Sequence, residues 1–292
     1  MQVVTTNSLT LMVWNICQGG QKDYKIKDIY GYTLRLGQIA ECINFFTPSV
    51  VAIIDAFGWN KWQEGTFEHL FPEYRLEGLH PLGDIEDMNY AILVRKDIPE
   101  EVVFSTLKNL YGDRNFVSLD IYRVKIAVTY LEANSSVKRE RELRAILNDN
   151  DHDIIVGDLN TIFMSERDTM FASIPKCFQY WRHFGLWLCS RQVRQSFTSP
   201  RILSYYGWES MVQASTFPLP YFWEIFLKDG IKKHTAWLWR NFFFPCPVIQ
   251  FDYALQRISP LDNFTNFKAL VIYTSDLKPA SDHCPIIIKI DF

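Results

Sequence analysis

Five short apolar runs in this chain stop at, or start from, a polar residue able to hold a metal ion or a phosphate. Residues 9–15 end at Asn15, and 50–54 are followed by Asp55. Residues 153–156 run into Gly157-Asp158-Leu159-Asn160, 248–255 contain Asp252, and 284–290 are preceded by Asp282-His283. Apolar runs this short read as buried strands. The ends of strands are where layered α/β proteins build their sites, because a sheet fixes the positions of the side chains there. One carboxylate after a strand is more often a turn residue or a helix cap. Five strand ends with the same habit constrain the fold and the chemistry together.

Between these runs the pattern turns helical. Residues 34–46 place Leu36, Ile39, Ala40, Ile43 and Phe46 at helical spacing, and Pro48 stops them. Residues 138–147 predict a charged helix, whose Lys138, Arg139, Arg141 and Arg144 alternate with Glu140 and Glu142 as on a solvated face. A further strand is expected at 90–94, and a strand pair at 117–131 with a tight reversal near Tyr122-Arg123. Strands interleaved with helices predict an α/β layered domain. No repeat or linker divides the chain, so residues 1–292 are read as a single domain with an insertion at about 167–250.

That insertion differs in composition from the rest. Residues 171–250 hold 20 of the 45 aromatic residues and six of the nine Trp. Nine basic residues against three acidic ones give the segment +6, which leaves −9 on the remainder behind a total of −3. A basic face with interleaved aromatics suits phosphate pairing with base stacking. It also suits an anionic membrane surface, with Tyr221-Phe222-Trp223 as an interfacial wedge. Most of these aromatics are expected to be core.

The strings VWNICQGG at 13–20, SVVAIID at 49–55, VGDLNT at 156–161, FDYAL at 251–255 and SDHCPI at 281–286 occur in that order. Together they resemble the endonuclease/exonuclease/phosphatase superfamily, which includes abasic-site endonucleases, deoxyribonuclease I and neutral sphingomyelinases. The resemblance implies a four-layer α/β sandwich, two mixed β-sheets packed face to face with helices outside and the site at one edge. It implies metal-assisted hydrolysis of a phosphate ester, with Mg²⁺ or Mn²⁺ as the ion suited to oxygen ligands and a phosphate substrate. Carried over by position, Asp55, Asn15 and Asp282 are the metal residues. Asp158 orients or deprotonates water, Asn160 holds a phosphate oxygen and His283 contacts the scissile phosphate. Asp252 fixes the tautomer of His283. Tyr130 stands where many members have His, and its hydroxyl would bond the phosphate. Within the insertion, His234-Thr235-Ala236-Trp237 resembles a Thr-x-Trp string that lines the pocket of abasic-site endonucleases, which makes His234, Thr235 and Trp237 candidates for substrate contact. Two positions depart from the pattern: Asp55 replaces a Glu, and Cys17 replaces an Asp.

The function implied is a metal-dependent nuclease or DNA-end-processing phosphodiesterase with nucleic acid as its partner. The alternatives are hydrolysis of a phospholipid or small phosphate ester, and a catalytically weak binding module of the same fold. No obligate protein partner is inferred. No apolar run approaches the ~18 residues of a membrane span. Residues 1–10 lack Lys and Arg, and the six scattered cysteines fit no zinc spacing, so the expected location is cytoplasmic, with reduced thiols.

Overall fold

The computed structural model describes residues 8–16, 19, 34–83, 87–110, 114–161, 163, 198–199, 201–211, 252–258, 266–272 and 283–292. The candidates Cys17, Asp282, His234, Thr235 and Trp237, and the insertion apart from 198–199 and 201–211, lie outside the described residues.

Among the described residues, twelve strands form two six-stranded sheets. The first contains β1 (Ser8–Asn15), β2 (Val50–Ile54), β3 (Tyr74–Pro81), β4 (Asn89–Arg95), β11 (Asn266–Val271) and β12 (Ile286–Asp291), in the order β11-β12-β1-β2-β4-β3. The second contains β5 (Val103–Asn109), β6 (Asn115–Ile121), β7 (Val124–Tyr130), β8 (Ile154–Asp158), β9 (Trp208–Ser210) and β10 (Asp252–Arg257), in the order β5-β6-β7-β8-β10-β9. Each sheet is mixed. The β1/β2 and β7/β8 pairs are parallel and the other pairs antiparallel. Both parallel pairs are joined through helices, α1 (Leu34–Phe46) and α3 (Ser136–Leu147), as parallel neighbours require. A third helix, α2 (Thr66–Leu70), precedes β3.

Strand alternation divides the apolar residues into layers. Leu9, Leu11 and Val13 of β1 meet Ile126, Val128, Ile154 and Val156 of the opposite sheet in one inter-sheet core. Met12 and Trp14 point the other way and pack with Ile39 and Ile43 of α1. Ala127 and Ile155 likewise face outward onto Leu143, Ile146 and Leu147 of α3. The result is helix, sheet, sheet and helix. Each fully buried Ile, Leu or Val in these layers contributes about 1.5–3 kcal/mol, so register is strongly specified on both faces of the central strands.

The expected elements at 34–46, 50–54, 90–94 and 117–131 are present within a residue or two, and Tyr122 makes the reversal with a φ of 54°. Helix α3 differs from its expectation. Its Arg144–Glu140 pair is exposed, but Arg139 and Glu142 are buried against the loop that follows β7. Arg139 Nη1 donates to the carbonyls of Glu132 at 2.9 Å and Ala133 at 3.1 Å, and Glu142 Oε2 accepts from the Glu132 N–H at 2.7 Å. Lys138, Glu140, Arg141 and Arg144 form the expected solvated face, and Arg139 and Glu142 depart from it as loop anchors.

Candidate active site

The inter-sheet core ends in polar residues because the two-residue alternation continues for one more step. In β1 the inward residues are Leu9, Leu11 and Val13, so Asn15 is next in phase. In β7 they are Ile126 and Val128, and Tyr130 follows. In β8 they are Ile154 and Val156, and Asp158 follows. In β10 Ala254 is inward, so Asp252 is too. Register aligns them across the second sheet, where Asp158 is opposite Tyr130 on β7 and opposite Asp252 on β10. One edge of the sandwich therefore carries an inward-facing row of polar side chains where every earlier layer is apolar.

Asp55 reaches this edge differently. It follows Ile54, which pairs with Asn15, and its φ of 62° breaks the strand alternation in the left-handed region that Asp tolerates. Its carbonyl accepts the N–H of Gly19 at 2.7 Å. Asn160 also turns through the left-handed region, with a φ of 46°. Gly157 has a φ of 138°, and a Cβ there would lie 2.0 Å from the Thr129 carbonyl oxygen, so the approach of β8 to β7 beside Asp158 demands glycine.

Asp158 is the hub. Its Oδ2 accepts from Asn15 Nδ2 at 2.9 Å, its Oδ1 accepts from the Asn160 N–H at 2.9 Å, and its backbone carbonyl accepts from the Leu131 N–H at 2.9 Å. His283 stands beside it. Nδ1 of His283 is 2.7 Å from Asp252 Oδ2, and Nε2 is 3.9 Å from Asp158 Oδ2. The short contact fixes which ring nitrogen faces Asp252. The long one is beyond a hydrogen bond and sets Nε2 beside the Asp158 carboxylate. Trp14 Nε1 donates to the His283 carbonyl at 2.8 Å, so the outward face of β1 pins the segment just before β12.

Asn15, Asp55, Asp158, Asp252 and His283 are all buried. Burial, and then the charge of Asp252, push the Asp158 carboxyl up to about 7, against the opposing pull of His283 and of the hydrogen bonds from Asn160 and Asn15. Tyr130 is partly buried, and its phenol is held well above the ordinary value by burial and by the charges of Asp158 and Asp55. It is therefore a neutral hydrogen-bond donor at physiological pH. The Asn160 side chain bonds it and also donates Nδ2 to the Leu131 carbonyl at 2.9 Å.

Ligand atoms of Asp158, Asp252 and His283 all lie within 4.8 Å of one another. Three buried carboxylates (Asp55, Asp158 and Asp252) share this edge with one imidazole. That excess of oxygen donors and negative charge is the donor chemistry of a hard divalent cation, so the residues present fit one.

Comparison with solved structures then decides the architecture. An AP endonuclease from Archaeoglobus fulgidus superposes with a TM-score of 0.57 at 13% identity, over 96% of this chain and 98% of that one. An endonuclease/exonuclease/phosphatase from Bacteroides vulgatus gives 0.54 at 12% identity, over 98% and 99%. TDP2 from D. rerio, complexed with a single strand DNA product, gives 0.51 at 13% identity, over 98% and 99%. The chain has the endonuclease/exonuclease/phosphatase fold. No family model matches the sequence, and no curated protein matches it at a significant level. At this edge of the sandwich the structure brings together Asn15, Asp55, Tyr130, Asp158, Asn160, Asp252 and His283, each named from the sequence. The sequence reading missed Trp14 as the anchor of His283 and Arg114 beside Tyr130. The only local hint of Trp14's role was its outward phase on β1, and Arg114 left no pattern at all.

Proposed function

We propose that this protein is a divalent-metal-dependent phosphodiesterase that cuts nucleic acid, as a nuclease or DNA-end-processing enzyme. The observation that carries the proposal is the placement of Asp158 against a His283–Asp252 pair, with His283 Nδ1 2.7 Å from Asp252 and Nε2 3.9 Å from Asp158. Within the proposal, Asp158 takes a proton from the attacking water. Its elevated value near neutrality gives it the basicity for that step while leaving it ionised above about pH 7. His283 grips a phosphoryl oxygen through Nε2, with Asp252 holding the ring. Asn160 and Tyr130 donate to the non-bridging oxygens, where charge builds in an in-line displacement. Asp55, Asn15 and Asp282 hold the cation, Mg²⁺ or Mn²⁺, which when bound neutralises phosphate charge and helps the leaving oxygen.

Two things support nucleic acid as the substrate class. Structures of this fold with low identity include an AP endonuclease and TDP2 with a single strand DNA product. The insertion at 167–250 is basic and aromatic-rich, with His234, Thr235 and Trp237 as proposed substrate contacts. A single domain over residues 1–292 and a cytoplasmic location complete the proposal.

The test uses end-labelled single-stranded, duplex and abasic-site DNA with Mg²⁺, Mn²⁺ or a chelator, and His283→Ala in parallel. Metal-dependent cleavage that the variant lacks is the expected result. Hydrolysis of phospholipid vesicles or small phosphate esters in place of DNA would overturn the substrate class. Absence of turnover on all of them, with no metal-binding heat, would leave a binding module.

A further inference from the structure

Arg114 is 8% exposed and sits just before β6, beside the site but outside every motif of the sequence. Its Nη2 donates to Glu132 Oε2 at 3.0 Å. Its Cζ lies 5.2 Å from the centroid of the Tyr130 ring. Its Nη1 is buried and has no hydrogen-bond acceptor among the described residues. A buried guanidinium N–H without an acceptor is costly, unless a π face replaces the lone pair. The Tyr130 ring lies within the ~6 Å over which a cation is attracted to an aromatic face.

Glu132, the anchor of Arg114, is itself fixed on every side. Oε1 accepts the Asn134 N–H at 2.8 Å, its own N–H donates to Glu142 at 2.7 Å, and its carbonyl accepts from Arg139 at 2.9 Å. Both Arg139 and Glu142 come from α3. The backbone of Tyr130 is held as well, since its N–H donates to the Tyr90 hydroxyl at 3.0 Å. That hydroxyl in turn donates to the carbonyl of Asn115, the residue after Arg114, at 2.9 Å. Buried charge on α3 thus locks a loop, the loop locks a guanidinium, and the guanidinium bears on the ring of Tyr130.

We propose that Arg114, clamped by Glu132, is a positioning residue that sets where the Tyr130 hydroxyl points in the site. The proposal rests on the reading above that Tyr130 donates to a phosphate oxygen. Arg114 has no contact with the substrate in this account and acts through the ring.

Two readouts test it. The first is the pair Arg114→Met/Glu132→Gln, which removes both charges together and leaves no unpaired buried carboxylate. In the wild-type background this pair lowers kcat on the order of 10- to 100-fold with KM little changed, the scale of a misplaced catalytic group. In a Tyr130→Phe background it causes no further loss, because the hydroxyl it would misplace is gone. The second readout is the fluorine spectrum of 3-fluorotyrosine at position 130, which shifts or broadens in the charge-pair variant. An unchanged fluorine resonance overturns the proposal. So do multiplicative losses in the Tyr130→Phe background with a raised KM, which would make Arg114 a substrate contact. If the wild type hydrolyses no phosphodiester, the functional reading fails by itself, and the fluorine spectrum still decides the placement of Tyr130.

Discussion

His152 and His283 stand at opposite ends of β8, and both are buried with Nδ1 turned to an aspartate. His152 Nδ1 is 3.1 Å from Asp149 Oδ2, and its Nε2 is 2.9 Å from Ser118 Oγ. On paper that is a Ser–His–Asp constellation. Ser118 is buried on the outward face of β6, however, and the ring of Phe116 meets His152 edge-on at 5.5 Å. Arg257 binds the carbonyls of His152 and Asp149 from outside. His152 Nδ1 approaches Asp149 without a well-aligned hydrogen bond, and that one, partly exposed carboxylate leaves no surplus of buried negative charge. At the other end three buried carboxylates, Asp55, Asp158 and Asp252, gather around one imidazole. The comparison teaches that residue identity does not make a site. A surplus of buried carboxylates does.

The difference predicts opposite outcomes for matched substitutions. His283→Ala lowers DNA cleavage on the order of 10²- to 10⁴-fold with the fold intact by circular dichroism, the cost of losing a proton-handling or phosphate-gripping group. His152→Gln leaves turnover per folded molecule unchanged and lowers stability by about 1–3 kcal/mol, read as a denaturation midpoint. Comparable loss of turnover in His152→Gln would erase the distinction between the two ends.

The two ends also respond to pH with opposite sign in the metal-free protein. Asp158 has its folded value raised from 3.8 to about 7, so its contribution is complete below about pH 4 and is lost as pH rises through 7. Burial lowers the folded value of His152 below 6.5, so its contribution is complete above 6.5 and is lost as pH falls through that lower value. Thermal melts from pH 4 to 8 should therefore separate: Asp158→Asn removes the component that falls with pH, and His152→Gln removes the one that rises. Ser118→Ala is the smallest effect. It costs one buried hydrogen bond, about 1 kcal/mol, which moves Tm by roughly 2–4 °C in a chain of this class.

Much of this was legible because strand alternation is local. Asn15, Asp158 and Asp252 each sit two residues from an apolar inward residue, and that phase can be read without knowing the partner strand. The edge strands β3, β5 and β11 were not expected from the sequence. In β5, Val103 is buried but Phe104 and Leu107 are exposed, so its apolar residues keep no two-residue period. Arg114, Arg139 and Glu142 were missed for another reason. A charge is buried by partners outside its own helix or strand, and here the loop after β7 and the Tyr130 ring supply them.

The most direct test of the account is a thermal melt of metal-free wild type and Asp158→Asn at pH 7.5, each with and without Mn²⁺. If Asp158 is a buried charge set beside a cation site, the metal-free variant melts several degrees above metal-free wild type, and Mn²⁺ raises the wild type more than the variant. A variant that melts lower than wild type, with neither protein responding to Mn²⁺, would contradict the account and return Asp158 to an ordinary place in the framework.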